Sequence, residues 1–203
     1  MLLFLASFIL FIILLTYTLK KHEKTENNAI NEFWEKERQA NQTRKKSLEN
    51  LDYVEIPFQY IPKSLLADDA AVQDCMETLK ALSGKKIVNL TGYSNTDLKL
   101  QYGTANLTVL SEYDENYTLY ARTLYKLARL YYDNGYESNA AILLEKGIES
   151  GTDITGNYTL LAQIYQKKGE YEKIKNLIDS AASLRSITQK NIIRSLEEYL
   201  REC

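Results

Sequence analysis

Covalent or acid–base chemistry needs a nucleophile beside a base, and this chain offers little to build one from. It carries a single histidine, His22, and two cysteines, Cys75 and Cys203. His22 sits in a polar stretch directly after a long apolar run, so Ser–His and Cys–His schemes have no base within the remainder of the chain. Cys75 lies on an apolar helical stripe and Cys203 at the terminus. Two cysteines so placed build neither a disulfide framework nor a zinc site, and such usage fits a reducing compartment. Ser83-Gly-Lys-Lys86 has the form of the end of a phosphate loop, but Leu79 stands where the first glycine belongs, and no Ser or Thr follows the first lysine. Asp133-Asn-Gly135 starts as a calcium loop does, and the later ligands do not follow. Carboxylates are numerous but scattered over polar faces, with no apolar setting to raise a pKa. The expectation is a non-enzyme with no catalytic residue, no metal site and no cofactor.

The elements that position the side chains are helical. The 203 residues are 45% hydrophobic and 26% charged, with two prolines and eight glycines, which leaves little for sheet turns or long loops. A formal charge of −2 and a pI near 5.6 argue against bulk nucleic-acid binding, which needs a basic footprint. Tyrosine is abundant, at sixteen residues against one tryptophan. Its apolar body and polar tip suit packing seams between helices first, and a binding surface second.

Residues 1–19 read MLLFLASFILFIILLTYTL, with no charge, proline or glycine. As a helix this run reaches about 28 Å, close to a hydrocarbon core of roughly 30 Å, and Tyr17 falls where an interfacial aromatic belongs. A cleaved signal peptide would show a basic start, a shorter apolar core and a small-residue exit; the run has none of these. The reading is an uncleaved single-pass anchor in the cell membrane. Lys20, Lys21 and Lys24 follow it, so the positive-inside bias places the C-terminal domain in the cytoplasm.

Residues 20–62 read as a juxtamembrane tether. His22 to Asp52 is polar and either continues the membrane helix or stays flexible, with one apolar cluster at Ile30, Phe33 and Trp34. Asp52 to Pro62 alternates in apolarity and holds both prolines, which resist the α conformation; an extended segment outside any sheet is expected. Residues 63–203 then form the helical domain. Leu65, Val72, Cys75, Met76, Leu79 and Leu82 mark one helix, with Asp68 and Asp69 near its start and Gly84 as its C′ glycine. A short helical piece is expected around Ile87 to Leu90. Asn95-Thr96-Asp97 opens a helix through Tyr113 that contains Gly103, a weak point.

From about Tyr120 to Ala182 the chain repeats at an offset of 34 residues, with identities Leu127/Leu161, Ala128/Ala162, Tyr131/Tyr165, Gly135/Gly169 and Leu143/Leu177. Each unit, about 120–153 and 154–187, reads as a helix, a Gly-containing turn and a second helix. One such hairpin cannot cover its own apolar face, so neighbours must stack. Asn157, one of five Asn-x-Ser/Thr triplets, is read as a helix cap. Ser186-Ile-Thr-Gln189 has capping-box form and opens a closing helix over 187–201, apolar at Ile192, Ile193, Leu196, Tyr199 and Leu200.

These units resemble the tetratricopeptide repeat family. The matching residues are Leu124, Leu127-Ala128, Tyr131, Gly135, Ala140, Leu144 and Gly147 in the first unit, and Tyr158, Leu161-Ala162, Tyr165, Gly169, Ile174, Ile178 and Ala181 in the second. The family's proline at each unit end is missing, and Ile174 replaces a small residue. The resemblance implies an all-α architecture: an N-terminal transmembrane helix, then an α-solenoid of helical hairpins with a C-terminal capping helix. It also implies a groove lined by the first helix of each unit, which here places Arg122, Tyr125, Arg129 and Tyr132 beside Thr159, Gln163, Gln166 and Lys167. Arginine next to tyrosine clamps a carboxylate and stacks on an apolar side chain. The expected function is a membrane-anchored interaction or scaffold module for a protein or peptide partner. The alternative is a self-associating structural membrane protein without a peptide ligand.

Overall fold

The computed structural model describes residues 2–201. Met1 and Cys203 lie outside the described residues, as do several side chains of the apolar leader. Among the described residues eight α-helices follow in chain order: α1 Leu2–Gln42, α2 Ala70–Leu82, α3 Asn95–Tyr102, α4 Leu107–Asp133, α5 Glu137–Glu149, α6 Thr155–Lys167, α7 Tyr171–Ala182 and α8 Gln189–Arg201. The fold is all-α; the extended pairing among the described residues is one isolated antiparallel bridge between Tyr53 and Val88. Among the described residues no helix is long and apolar enough to cross a membrane. The chain divides into two compact units, residues 1–47 with 94–107, and residues 48–93 with 108–203.

In the first unit the polar stretch after the leader is helical through Gln42, so α1 continues where a flexible tether was the other reading. Its C-terminal turns are held by α3. Lys36 pairs with Asp97 at 2.8 Å. Glu37 takes a hydrogen bond from the Thr96 hydroxyl at 2.6 Å and pairs with Lys99. The Lys36 ammonium beside Asp97 holds its carboxyl down to about 2, and Lys99 lowers that of Glu37. α3 opens on a capping box between Ser94 and Asp97, one residue earlier than the Asn95 start read from sequence. Its end lies at Gly103, not near Tyr113. There φ is +89°, and a Cβ would stand 2.3 Å from the Arg44 carbonyl oxygen. Only glycine fits both demands, so the long helix expected from Asn95 to Tyr113 is broken here.

In the second unit the segment after Leu48 crosses as an extended strap. Val54 donates its N–H to the Ile87 carbonyl at 2.9 Å, Phe58–Tyr60 makes a single 3-10 turn, and Ile61 is buried. The helical piece expected at Ile87–Leu90 does not form. Its β-branched pair favours an extended backbone, and the Asn89 side chain bonds outward, donating to the Gly151 carbonyl at 2.9 Å. α2 begins at Ala70, later than the Leu65 start expected, because Asp69 caps it by accepting from the N–H groups of Ala71 and Val72. Gly84 is not a left-handed C′ residue. The helix closes instead through Ser83 N–H to Lys80 and Lys85 N–H to Leu82.

α4 to α8 surround one apolar core in which Tyr120, Leu124, Leu127, Tyr131, Leu143, Leu144, Tyr158, Leu161 and Ile164 are fully covered. Each such side chain contributes roughly 1.5–3 kcal/mol by leaving water. The turns share one device. After α4, Tyr136 N–H reaches Tyr131 O at 2.9 Å and Gly135 N–H reaches Tyr132 O at 3.0 Å. After α6, Glu170 reaches Tyr165 and Gly169 reaches Gln166 at the same two distances. This is the Schellman closure, with glycine in the left-handed position at φ +84° and +72°. α5 ends the same way at Gly151, φ +79°, through Thr152 N–H to Gly147 and Gly151 N–H to Ile148. At the start of α8, Ser186 Oγ accepts from Thr188 N–H at 3.1 Å. The Gln189 amide donates back to Ala182 and Leu184, so the expected reciprocal box is replaced by a clasp onto the end of α7.

Candidate functional site

Steps of three and four residues put Arg122, Tyr125, Arg129 and Tyr132 on one side of α4. Leu124, Leu127, Ala128 and Tyr131 fill the opposite side and are buried. α6 divides in the same way: Tyr158, Leu161, Ala162 and Tyr165 point into the core, leaving Thr159, Gln163, Gln166 and Lys167 partly or fully open to water. The two helices meet along this side. Lys167 Nζ donates to the Tyr132 hydroxyl at 2.8 Å and lies 4.8 Å from the centre of its ring. The Tyr125 hydroxyl rests on the first turn of α6, where a Cβ on Gly156 would stand 2.3 Å from it. Gly156 is small because that ring occupies the space.

The candidates differ in what they have left to offer. Arg129 is engaged with Asp133, both carboxylate oxygens lying 3.0 Å from its Nε. Asp133 and then the Tyr125 hydroxyl raise its pKa. Lys167 is paired with Glu137 at 2.7 Å; that bond, then the Tyr132 hydroxyl, raises its pKa. Both pairs are exposed, where solvent screening leaves an ion pair little net worth, so a competing carboxylate displaces them at small cost. Gln166 donates to the Tyr199 carbonyl at 3.2 Å and ties α6 to α8. Thr159 bonds back to Thr155 at 3.2 Å. Arg122 is exposed and Gln163 half-buried, and neither has a hydrogen-bond or ion partner among the described residues. The unpaired part of the face is therefore Arg122 and Gln163, flanked by the half-buried Tyr125 and by the exchangeable cations of Arg129 and Lys167.

Other buried polar groups serve the fold. Asn157 is not a cap: it lies inside α6, 2% exposed, and its amide donates to the Leu144 carbonyl of α5 at 2.8 Å. Gly147 faces it, and this small residue is the signal that a side chain from a neighbouring helix comes close. The Tyr165 hydroxyl donates to Glu145 at 2.6 Å, Tyr158 to the Thr152 carbonyl at 3.0 Å, and Tyr117 to the Ser150 carbonyl at 3.1 Å. Burial pushes the Tyr120 and Tyr158 hydroxyls up to about 12. Cys75 is buried, which raises its thiol, and His22 lies exposed on α1. Among the described residues no group of three His, Cys, Asp or Glu side chains is placed to hold a metal ion. Compared with protein-family models, with curated proteins and with solved structures, the chain matches none.

Proposed function

We propose that this chain is a membrane-anchored interaction module whose α4–α6 face receives a protein or peptide bearing a carboxylate beside an apolar side chain. The observation that carries the reading is the direct seam between the two helices, Tyr132 to Lys167 and Tyr125 to Gly156. It joins the side of α4 that carries the exposed Arg122 to α6, which carries Gln163. Hydrogen bonds to a charged group contribute about 1.5–3 kcal/mol when water is excluded, so one seated carboxylate accounts for a tenfold or greater preference. The tetratricopeptide-like pairing of helices and its closing helix α8 belong to the same proposal.

The anchor rests on the leader. Residues 1–19 carry no charge, and α1 holds Phe4, Phe8, Phe11 and Leu14 at 83, 62, 59 and 55% exposure. An apolar face displayed to that extent supports a surface that lipid or another protein covers. Cytoplasmic placement of the helical domain follows from Lys20, Lys21 and Lys24. Protease added to the extracytoplasmic side of sealed vesicles should leave that domain intact; its digestion would reverse the orientation.

Cross-linking in native membranes followed by affinity purification tests the face itself. Arg122→Glu should abolish recovery of the heterologous partner while helicity is retained, and Arg129→Glu should weaken it. Undiminished recovery with Arg122→Glu refutes the docking face. Recovery of self-copies alone favours the second reading, self-association, for which the exposed edge-to-face pair Phe33 and Trp34, 5.3 Å between ring centres, is the supporting observation.

A further inference from the structure

Asn134-Gly135 is the one Asn-Gly pair in the chain, and it forms the turn between α4 and α5 in the second unit. Asparagine followed by glycine carries a latent reaction, since no Cβ on the second residue hinders its backbone nitrogen from reaching the side-chain amide carbon. The folded turn holds the two groups apart. Gly135 N–H is tied to the Tyr132 carbonyl at 3.0 Å, and Tyr136 N–H to the Tyr131 carbonyl at 2.9 Å. The Asn134 side chain is turned back along α4, its amide donating to the Leu130 carbonyl at 2.9 Å. The turn lies at the surface: residues 133–136 are exposed, and a Cβ on Gly135 would meet no atom within 4 Å. Other asparagines are placed differently. Asn89, Asn106, Asn116 and Asn157 donate their amides to carbonyls distant in sequence, and the residue after each carries a side chain.

We infer that Asn134 is a site of spontaneous deamidation, and that local opening of the α4–α5 turn, not unfolding of the unit, sets its rate. Once the bond to Tyr132 is broken, the Gly135 nitrogen gives up its proton and attacks Asn134 Cγ. The N–Cγ bond forms, the Cγ–Nδ2 bond breaks, and Nδ2 leaves as ammonia. Water then opens the five-membered imide. Breaking its N–Cγ bond yields aspartate; breaking the bond from nitrogen to the main-chain carbonyl carbon yields isoaspartate, in which the chain runs through Cβ and Cγ. Opening the turn breaks few bonds compared with unfolding the core, so the local route dominates. Neither product keeps the amide donor for Leu130, and each sets a new carboxylate at the negative end of the α4 dipole. Isoaspartate also lengthens the main chain by one methylene, so the paired closure at Tyr131 and Tyr132 is not remade. The inference is independent of the α4–α6 docking face.

Full-length protein in a mild detergent and mildly alkaline buffer, digested at intervals and read by mass spectrometry, reports the conversion of each asparagine. Asn134 should convert first, with isoaspartate among its products. In urea strong enough to unfold the chain, the rate at Asn134 should rise roughly thirtyfold, the factor for two hydrogen bonds of the turn. Below the unfolding transition, added urea should leave the rate nearly flat, because local opening exposes little surface. Tyr136→Pro removes one closing donor; it should raise the rate several-fold in the folded protein and leave it unchanged in urea. Gly135→Ala should slow the reaction in urea, and an undiminished rate overturns the Gly135 nitrogen as the attacking atom. Another asparagine converting as fast as Asn134 in the folded protein overturns the site. Equal rates in buffer and in unfolding urea overturn the protection by the turn. A rate that climbs through sub-denaturing urea in step with unfolding overturns local opening, and this measurement on the unaltered protein decides even where the proline variant does not fold.

Discussion

Gly147 of α5 lies tightly against Asn157 of α6, and the contact yields a quantitative prediction. A Cβ on Gly147 would stand 2.8 Å from the Asn157 amide nitrogen and 3.2 Å from its carbonyl oxygen, closer than real contacts allow. Gly147→Ala gains about 1 kcal/mol of helix propensity. It also displaces the Asn157 amide from the Leu144 carbonyl, costing about 1 kcal/mol for the bond and about 1–3 kcal/mol for the buried amide left unmatched. The net loss is about 1–3 kcal/mol. Asn157→Ala alone loses the bond and leaves a small void, about 2 kcal/mol together. If the two were independent, the double variant would lose about 3–5 kcal/mol. On an Asn157→Ala background, however, the alanine at 147 meets nothing and keeps its helix gain, so the double variant should lose only about 1 kcal/mol. Urea unfolding of the full chain and the three variants, followed by tyrosine absorbance, measures the coupling. A double variant within about 0.5 kcal/mol of the sum of the singles refutes the contact as the origin of both effects.

Alkaline pH acts on the buried tyrosines. The Tyr120 and Tyr158 hydroxyls are raised from 10.0 to about 12 in the folded state. The unfolded chain therefore loses these protons first as pH passes 10, and stability is full below that point and falls toward 12. The loss is about 1.4 kcal/mol per tyrosine per pH unit at most. A urea midpoint that stays flat from pH 9 to 12 would contradict this. Gly135→Ala and Gly169→Ala should each cost about 1–2 kcal/mol. Neither glycine has an atom within 4 Å of its Cβ position, so the cost is purely that of a left-handed backbone. Gly135→Asn should recover part of it, and equal melting temperatures for the alanine and asparagine variants would count against that origin.

Legibility in the sequence followed the range of the interactions. The helices from about Tyr120 onward were readable because apolar residues recur at helical spacing and glycines stand at two of the turns, both of which are local signals; that α4 starts at Leu107 and runs through Tyr113 without a break was not read. Gly151 escaped although it closes α5 in the same way, since no repeat partner pointed to it. The continuation of α1 beyond the leader was undecided for a different reason. Its support comes from Asp97 and Lys99, remote in sequence from Lys36 and Glu37, and no window of neighbouring residues holds that information. Ile87–Leu90 misled because an apolar run of that length suits a helix or an extended strap, and the choice is made by Tyr113, Asp114 and Asn116 of α4. On the candidate face, the registers of α4 and α6 were set by the periodicity. The pairing of Arg129 and Lys167 with Asp133 and Glu137 left Arg122 as the open cation. Asn157 looked like a cap because it lies near a helix start, and its burial depended on Gly147 across the hairpin.

The first unit is assembled from two separated stretches of chain, and this ordering has consequences during biosynthesis. The end of α1 and the residues after it leave the ribosome with Lys36, Glu37 and the Lys46 N–H still lacking their α3 partners, and those partners arrive only after the strap and α2 have been made. A nascent chain arrested before residue 94 should therefore fray at the end of α1. A recombinant fragment begun at Leu48 would carry residues 94–107 as an orphaned excursion, with Thr96 and Lys99 facing water in place of Glu37. Trimming the leader alone, upstream of Lys36, leaves that clasp whole.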